Sequence, residues 1–167
     1  MTETTTDAAA PLGRGALQQY IDRQGIDAQI IPLTEHTATV ADAARALGVD
    51  TDQIVKSLVF RCNDEPLLVI TNGLARVDRK KLAALLGVGR KKVKFAAAED
   101  VLDITGFIVG SMPPFGHRTR LRTLVDPAVM RLGMVYGGGG DIDAMMRLTP
   151  AELVRVSGAE LLAITEE

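Results

Sequence analysis

Short apolar runs and short helical segments alternate along this 167-residue chain, and this alternation restricts the possible folds more than any other feature. Three helices are predicted from the N-terminal cap residues Thr39, Asp78 and Thr149. Glu152 follows Thr149 by three residues, which predicts a reciprocal capping box. Three further helices are predicted at 14–25, at 97–106 and from residue 126 onward.

The strands predicted between these helices are short. They lie at about 28–33, 55–61, 66–71, 92–95, 120–125, 134–140 and 160–165. The letters CNDE join the second strand to the third as a hairpin. Short strands interleaved with short helices predict a mixed sheet with helices packed around it.

Composition limits the classes of protein that this chain can represent. It is 47% hydrophobic and 24% charged with a net charge of −2, so no global basicity indicates a nucleic-acid partner. A single cysteine excludes an internal disulfide and suits a reducing cytoplasm. No apolar stretch approaches the roughly 20 residues of a membrane span. We expect a disordered tail over residues 1–13 and one cytoplasmic domain over 14–167.

Lys56 stands inside the apolar run DQIVKSLVF, residues 52–60. In a strand it would share one face with Leu58 and Phe60, while Val55 and Val59 occupy the other face. One interpretation is a lysine that extends its ammonium group to water at the end of a strand. The other is an anchor for an anionic or carbonyl group at the mouth of a pocket.

Two glycine-containing segments allow close approach to the backbone. In GSMPPFGH, residues 110–117, two prolines fix the chain between two glycines, so the segment could direct backbone N–H groups at a developing oxyanion. The alternative is an ordinary proline-rich turn. YGGGGD, residues 136–141, lacks the spacing of a phosphate-binding or dinucleotide-binding loop. It is either a flexible turn or a backbone that a ligand can approach.

The segment 76–95 carries eight basic residues and one acid, and it is either a solvated face or a phosphate-binding surface. With one cysteine and two distant histidines, no metal site is predicted, and no cofactor is expected.

In combination, these segments resemble the YbaK/ProX-type aminoacyl-tRNA deacylases, relatives of the editing domain of bacterial prolyl-tRNA synthetases. The resemblance runs from about Gly25 to Ile164 and rests on TATVADAARALGV, QIVKSLVF, GSMPPFGH and VYGGGGDIDAMMRLTPAEL. It implies an α+β fold whose mixed, strongly curved, barrel-like sheet is flanked by helices. It also implies a hydrolase that acts in trans and deacylates a mischarged tRNA carrying a small amino acid of the Ala, Cys, Ser or Thr class. Because no ligand cluster is predicted, we expect this hydrolase to be metal-independent.

The resemblance assigns roles to individual residues. Lys56 and Gly110 are the implied catalytic residues. The implied substrate-binding residues are Ser111, Met112, Pro113, Pro114, Gly137, Gly138 and Gly139. Apart from the resemblance, His117 and His36 are also expected to contact the substrate. Independently of the resemblance, the basic segment 76–95 predicts tRNA contacts at Arg79, Lys80, Lys81, Arg90, Lys91 and Lys92.

The expected partner is the 3′-terminal adenosine and amino acid of an aminoacyl-tRNA, with an aminoacyl-tRNA synthetase as a further candidate and neither DNA nor membrane. Many relatives carry a smaller or β-branched residue in place of Met112, so the amino acid stays open. The alternative function is a non-catalytic module on the same fold that binds an amino acid, a nucleotide or a synthetase.

Overall fold

The structure is a computed structural model that describes residues 10–167. The predicted tail at 1–13 lies mostly outside the described residues. Within its described part, the Leu12 N–H donates to the Gly106 carbonyl oxygen at 2.6 Å, and the Leu12 side chain packs against the main core.

Five α-helices and eight strands alternate along the described residues. The helices are α1 (Arg14–Gln24), α2 (Val40–Leu47), α3 (Arg79–Leu86), α4 (Ala98–Thr105) and α5 (Pro150–Ser157). The strands are β1 (Ala28–Pro32), β2 (Val55–Cys62), β3 (Glu65–Asn72), β4 (Val93–Phe95), β5 (Thr123–Val125), β6 (Val135–Gly138), β7 (Ala144–Leu148) and β8 (Glu160–Leu161). Short 3₁₀ turns occupy Thr51–Gln53, Arg90–Lys92 and Pro127–Arg131.

The strands form two sheets. Three antiparallel strands follow the order β1-β7-β6, and five strands of mixed direction follow the order β4-β2-β3-β5-β8. A single parallel bridge between Ile54 and Tyr136 links the two sheets. The α+β class and the mixed sheet are therefore confirmed.

The prediction of one strongly curved, barrel-like sheet is not met in the part of the chain that the structure describes. Beyond the bridge, the side chain of Val55 lies between the two sheets, because its Cγ2 is 3.0 Å from the position of a Cβ on Gly137. Side-chain packing thus replaces the backbone pairing that would join β2 to β6 in one continuous sheet.

The hairpin of β2 and β3 is confirmed and is the longest pairing of the fold. Its register runs from Val55 opposite Asn72 to Cys62 opposite Glu65. Asn63 and Asp64 make the turn with positive φ values of 54° and 67°. Asn and Asp tolerate this conformation better than other residues with side chains, which explains why CNDE can turn so tightly.

The two faces of β2 contribute to separate core clusters, as the alternation predicts. Val55 and Val59 belong to the main cluster, which includes α1 and α5 residues. Phe60 and Cys62 belong to a second cluster with Leu82 of α3. Leu58 packs against this second cluster, so the predicted face shared by Lys56, Leu58 and Phe60 is correct.

Several local predictions are corrected. β7 was not predicted, since AMMRL buries four of its five residues without period-two alternation. The strand predicted at 120–125 is shortened to β5, and the helix predicted after residue 126 is only a 3₁₀ turn. Thr149 accepts the Glu152 N–H, but the Glu152 carboxylate accepts from the Asp27 N–H and from Arg155, so the reciprocal half of the capping box is missing.

Asp126 ties the C-terminal residues to the five-stranded sheet. Its carboxylate is 5% exposed and accepts the N–H groups of Ala128 at 2.9 Å and Ile164 at 3.1 Å. The hydroxyl of Thr165 donates to it as well, at 3.1 Å. Bonds of this kind to a buried carboxylate are stronger than those between neutral groups.

Asp126→Ala would leave the buried N–H of Ile164 without an acceptor. We expect the free energy of unfolding, measured by urea denaturation, to fall by about 3 kcal/mol. Asp126→Asn keeps one oxygen and is expected to lose less. Asp103→Ala, on the exposed side of α4, is the matched control and should change stability by less than about 0.5 kcal/mol. Equal losses for the two alanine variants would contradict this role of Asp126.

Candidate active site

A cleft of about 300 Å³ opens beside the free edge of β2, which is the part of the strand before Phe60 that β4 does not cover. The start of α2 forms one side, and Val109, Gly110, Met112 and Gly138 form the other. Its lining residues are Thr37, Ala38, Thr39, Val40, Ala43, Ile54, Val55, Lys56, Ser57, Leu58, Val109, Gly110, Met112, Gly138 and Met145. Lys56 and Gly110, far apart in sequence, therefore meet at one cleft.

The free edge of β2 directs backbone groups towards this cleft. The Val59 carbonyl oxygen accepts the Ala96 N–H on the β4 side, whereas the Ile54 carbonyl oxygen accepts the Gly73 N–H on the β3 side. Residues of odd number therefore direct their backbone groups away from β3. The register of β4 begins only at Phe60, so Ser57 directs its N–H and carbonyl to the open edge.

The ammonium of Lys56 is half-buried and donates to the Ala75 carbonyl oxygen at 2.9 Å. Burial, and to a smaller extent the charge of Arg76, lowers the pKa of Lys56 below its ordinary 10.5. Because an ammonium has three N–H donors, a substrate can still use the remaining ones. Partial burial also strengthens the field of the ammonium at the cleft.

The start of α2 adds a second source of positive potential. Thr39 caps this helix by accepting the Asp42 N–H at 3.0 Å, as predicted. Thr39 and Val40, at the helix start, line the cleft directly. The N-terminal end of a helix carries partial positive charge from N–H groups without intrahelical partners, which favours anionic groups nearby.

The segment 110–117 reaches the cleft through Gly110 and Met112. Gly110 has φ of +95°, a conformation that favours glycine, although no heavy atom lies within 4 Å of a Cβ built there. The Ser111 hydroxyl donates to the Ile108 carbonyl oxygen at 2.9 Å, and the Ser111 carbonyl accepts the Gly140 N–H at 2.9 Å. Ser111 therefore fixes the segment and does not line the cleft.

The glycine-rich segment is held against residues 110–117. A Cβ on Gly138 would overlap the Met112 carbonyl oxygen, and one on Gly139 would lie 2.6 Å from the Ala144 carbonyl carbon. Gly138 lines the cleft, whereas Gly137 and Gly139 are buried behind it. The interpretation of YGGGGD as a flexible turn is thus wrong: another segment approaches this backbone closely.

Four other predicted substrate residues do not line the cleft. Pro113 is buried, and its carbonyl oxygen lies 2.7 Å from the His117 Nε2. Pro114 and His117 line a different cavity on the far side of the segment. Burial lowers the pKa of His117. His36 is exposed and lines a shallow depression with Ile108 and Ile142.

The predicted tRNA contacts fall into three groups. Arg79, Lys80 and Arg90 line one open depression, and the Arg79 guanidinium also stacks over Phe95, 5.1 Å from the ring centre. Lys91 and Lys92 are exposed on the neighbouring 3₁₀ turn. The remaining residue, Lys81, already has a partner within the protein, because its ammonium donates a hydrogen bond to the Thr165 carbonyl oxygen at 2.9 Å.

Sequence reasoning missed much of the cleft lining. Ser57 follows Lys56 directly, and its Oγ is buried without a hydrogen-bond partner among residues 10–167. Val109 and Met145 also contribute, from a loop and from the unpredicted strand β7. The apolar residues of these two segments suggest a place in the core, so nothing in the sequence indicated that they line a cleft. For Ser57 there was one signal, a polar residue on the buried face of a strand.

No group of three or more His, Cys, Asp or Glu side chains within residues 10–167 could hold a metal ion. Over the same residues, none of the helices has the length and apolar character needed to cross a membrane.

Known proteins of similar sequence and structure identify the family of this chain. The family model of the aminoacyl-tRNA editing domain matches residues 34–156. The YwhH protein of Bacillus subtilis, which is uncharacterized, is 33% identical over 122 residues, or 72% of this chain and 76% of its own length. The proline–tRNA ligase of Ligilactobacillus salivarius is 32% identical over 93 residues, 56% of this chain but only 16% of the ligase.

A solved structure of a candidate trans-editing enzyme for prolyl tRNA synthetase shares the fold. It superposes with a TM-score of 0.86 at 32% identity and covers 92% of this chain and 97% of its own. The matched residues 34–156 include β2 with Lys56, the segment 110–117 and the glycine-rich β6. This chain belongs to the aminoacyl-tRNA editing domain family.

Proposed function

We propose that this protein is a hydrolase that acts in trans and removes a small amino acid from a mischarged tRNA. The observation that carries the proposal is the half-buried Lys56 ammonium at a cleft that Gly110 and Met112 also line. A volume of about 300 Å³ accommodates a small amino acid together with part of the terminal ribose. The family, and the similarity to a candidate trans-editing enzyme, support the same reaction.

The need for such an enzyme follows from the limits of binding selectivity. A synthetase pocket gains only about 1–3 kcal/mol from one methylene group and cannot fully reject a smaller amino acid. A second site that admits only small amino acids completes the selection. Met112 and Met145 would limit its size here, because both line the cleft and both are at least nine-tenths buried.

The cleft provides groups suited to ester hydrolysis. The free donors of Lys56 would bind the carbonyl oxygen of the ester or the terminal nucleotide, where developing negative charge is stabilised. The start of α2 would add its partial positive charge. The backbone carbonyl of Ser57, at the open strand edge, is an acceptor for the α-ammonium of the amino acid.

The described residues that line the cleft include no carboxylate, imidazole or thiol. We therefore propose that a ribose hydroxyl of the substrate assists the attacking water. Activity should accordingly not require a divalent metal. The substrate would be the 3′-terminal adenosine with its esterified amino acid, of the Ala, Cys, Ser or Thr class, and a synthetase is a candidate partner.

Lys56→Met removes the ammonium but keeps most of the aliphatic chain. We expect single-turnover deacylation of small aminoacyl-tRNAs to fall at least about a hundredfold. Stability should change by less than about 1.5 kcal/mol, because one hydrogen bond is lost while a partly buried charge is removed. Lys56→Arg keeps the charge in a different geometry and should restore tRNA affinity more than rate.

The comparison with Lys56→Met also separates an enzyme from a binding module. A non-catalytic module would show no turnover above the spontaneous rate in the wild-type protein. Full turnover in Lys56→Met would refute the assignment of Lys56.

The lowered pKa of Lys56 gives a pH test. Deacylation, corrected for spontaneous hydrolysis, should decline as pH rises through the pKa of Lys56, below 10.5. In this pH range the unfolded chain binds the proton more tightly, so the free energy of unfolding should rise with pH. Arg76→Gln should raise the pKa of Lys56, measured from its Cε chemical shift, and move the decline in activity to higher pH.

Arg76→Lys keeps the neighbouring positive charge and is the control for the pH test. Because burial is the larger cause of the shift, Arg76→Gln should not restore the pKa to 10.5. An identical pKa in wild type and Arg76→Gln would show that the charge of Arg76 does not act on Lys56.

The basic surface gives a separate prediction for tRNA binding. Lys80, Lys91 and Lys92 are exposed, and replacing all three with Ala should reduce the slope of log affinity against log salt by about 2–3. The matched control replaces the exposed Arg23, Arg131 and Arg147 with Ala, which removes the same charge elsewhere. Equal slopes for the two triple variants would show that the segment is only a solvated face.

A further inference from the structure

Phe95, on the edge strand β4, is the most exposed aromatic residue among those that the structure describes. It is 53% exposed, whereas the other three phenylalanines of the chain are at most 4% exposed. A single exposed apolar side chain is common on protein surfaces and needs no explanation by itself. The contacts and the position of Phe95 therefore decide whether it can bind a ligand.

Phe95 belongs to a short stack of planar groups. Its ring lies against that of the fully buried Phe60, with ring centres 4.4 Å apart and planes inclined by 29°. The Arg79 guanidinium lies over the Phe95 ring, and its Cζ is 5.1 Å from the ring centre. We call these three residues the Phe95 stack. It begins in the core at Phe60 and ends at the surface, because Phe95 and Arg79 are both exposed.

The guanidinium of Arg79 is available to a ligand. It makes no hydrogen bond and no ion pair with the described residues 10–167. Arg79, Lys80 and Arg90 line one open depression together with Asp78 and Glu166, and the Asp78 carboxylate already accepts N–H groups as the cap of α3. The surface around the Phe95 stack therefore carries more positive than negative charge. A planar guanidinium in this place can both stack on a ring and pair with a phosphate.

An exposed ring beside a guanidinium and further cations is suited to an unpaired nucleobase. Every base has a π-face that stacks on aromatic rings and on guanidinium planes, while its phosphate pairs with nearby cations. A base inside a duplex is covered by its neighbours on both faces. The Phe95 stack therefore favours a single-stranded segment of a nucleic acid over a double helix.

The Phe95 stack lies on the same face of the five-stranded sheet as Lys56. Lys56, Leu58 and Phe60 share one face of β2, and Leu58 lines the cleft. Phe95 is directly opposite Phe60 in the pairing of β2 with β4, and residues paired in this way direct their side chains to one face. With a rise of about 3.3 Å per residue, Phe60 lies about 13 Å from Lys56 along the strand.

The chain between β3 and α3 follows the same path. The Ala75 carbonyl oxygen accepts the Lys56 ammonium at 2.9 Å, and Arg79, four residues later, lies over Phe95. Arg76 is exposed directly after Ala75 and adds a positive charge near the cleft. Residues 75–79 therefore lead from the cleft to the Phe95 stack, with an arginine near each end.

The distance indicates which nucleotide can reach the stack. The proposed function places the ester and the terminal ribose at Lys56. A distance of about 13 Å is several times the rise of about 3.4 Å between stacked nucleotides, so the base of the terminal adenosine is too close to Lys56 to reach Phe95. An unstacked strand covers more length per nucleotide, which brings the second or third nucleotide from the 3′ end within reach.

We propose that the Phe95 stack binds a nucleobase of the single-stranded 3′ end of the tRNA, one or two nucleotides before the terminal adenosine. The proposal rests on the proposed function, from which it takes the position of the ester. Phe95 and Arg79 position the substrate in this arrangement and do not touch the reacting atoms. Their contribution is to affinity and to the placement of the ester at Lys56.

The experiment uses an uncharged RNA hairpin with the sequence of a tRNA acceptor stem and its single-stranded 3′ end. The fluorescent base 2-aminopurine, whose emission falls when it stacks, replaces the last, second-last or third-last base in turn. Phe95→Leu keeps the apolar contact with Phe60 but has no π-face, and Arg79→Lys keeps the charge but not the planar group. Leu85→Ala, at a residue of α3 that is 47% exposed, is the matched control.

We expect the emission of the second-last or third-last base to fall when the hairpin binds the wild-type protein. Phe95→Leu should abolish this fall and weaken binding about tenfold, whereas Leu85→Ala should change neither. Arg79→Lys should weaken binding several-fold. Neither Phe95→Leu nor Arg79→Lys removes a charge, so both should keep the wild-type slope of log affinity against log salt, which separates stacking from charge attraction.

Single-turnover deacylation by the wild-type protein tests the proposed function separately. In an active enzyme, Phe95→Leu should raise KM and change kcat by less than about twofold, because Phe95 does not contact the ester. Unchanged emission at both positions, or equal RNA affinity of Phe95→Leu and Leu85→Ala, would overturn this proposal while deacylation by the wild type still stands. A fall in emission that depends on Phe95, in a protein without deacylation, would support the base site and refute the proposed function instead.

Discussion

The contact between the backbone of Gly138 and the carbonyl of Met112 is the constraint on which the cleft depends. These two segments of the backbone approach each other so closely that there is no room for a side chain at residue 138. The Gly140 N–H adds a hydrogen bond to the Ser111 carbonyl in the same region. Together these contacts hold the segment that carries Gly110 and Met112 against β6, and β6 in turn reaches β2 through the bridge at Ile54. The position of Lys56 relative to Gly110 follows from this chain of contacts.

Partial burial of Lys56 has two opposite effects, since it strengthens the electric field of the ammonium and also lowers the pKa of the group. A strand residue is held firmly, and partial burial gives its charge a longer effective reach than it would have in water. The same burial lowers the pKa of Lys56, since the charged form loses hydration. The Ala75 carbonyl compensates part of that loss while leaving donors for a substrate. This balance distinguishes Lys56 from Lys91 and Lys92, which are exposed.

Local features of the fold could be predicted from sequence, and relations between distant segments could not. The β2–β3 hairpin and the caps at Thr39 and Asp78 are set by residues within a few positions, and all were predicted correctly. The division into two sheets depends on how Val55 packs against Gly137, eighty-two residues away (137 − 55), and a barrel-like sheet was wrongly expected. The family resemblance predicted Lys56 and Gly110 as catalytic residues, and the fold brings both to one cleft. His117 and Pro114 were also predicted to bind the substrate, but they lie on the other side of their segment. This could not be predicted from the sequence, because the alternation of side chains along a strand does not apply to a proline-rich loop.

The free edge of β2 has a consequence for how the protein behaves among other chains. A strand edge with unpaired N–H and carbonyl groups is a template on which a second extended chain can add, and folded proteins commonly protect such edges. Here the start of α2 and the loop that ends at Met112 flank the edge at Ser57 from both sides. A whole strand is therefore sterically kept away, while a molecule of a few heavy atoms can still enter. The same walls that would limit the size of a substrate would thus also hinder the addition of a second strand at this edge.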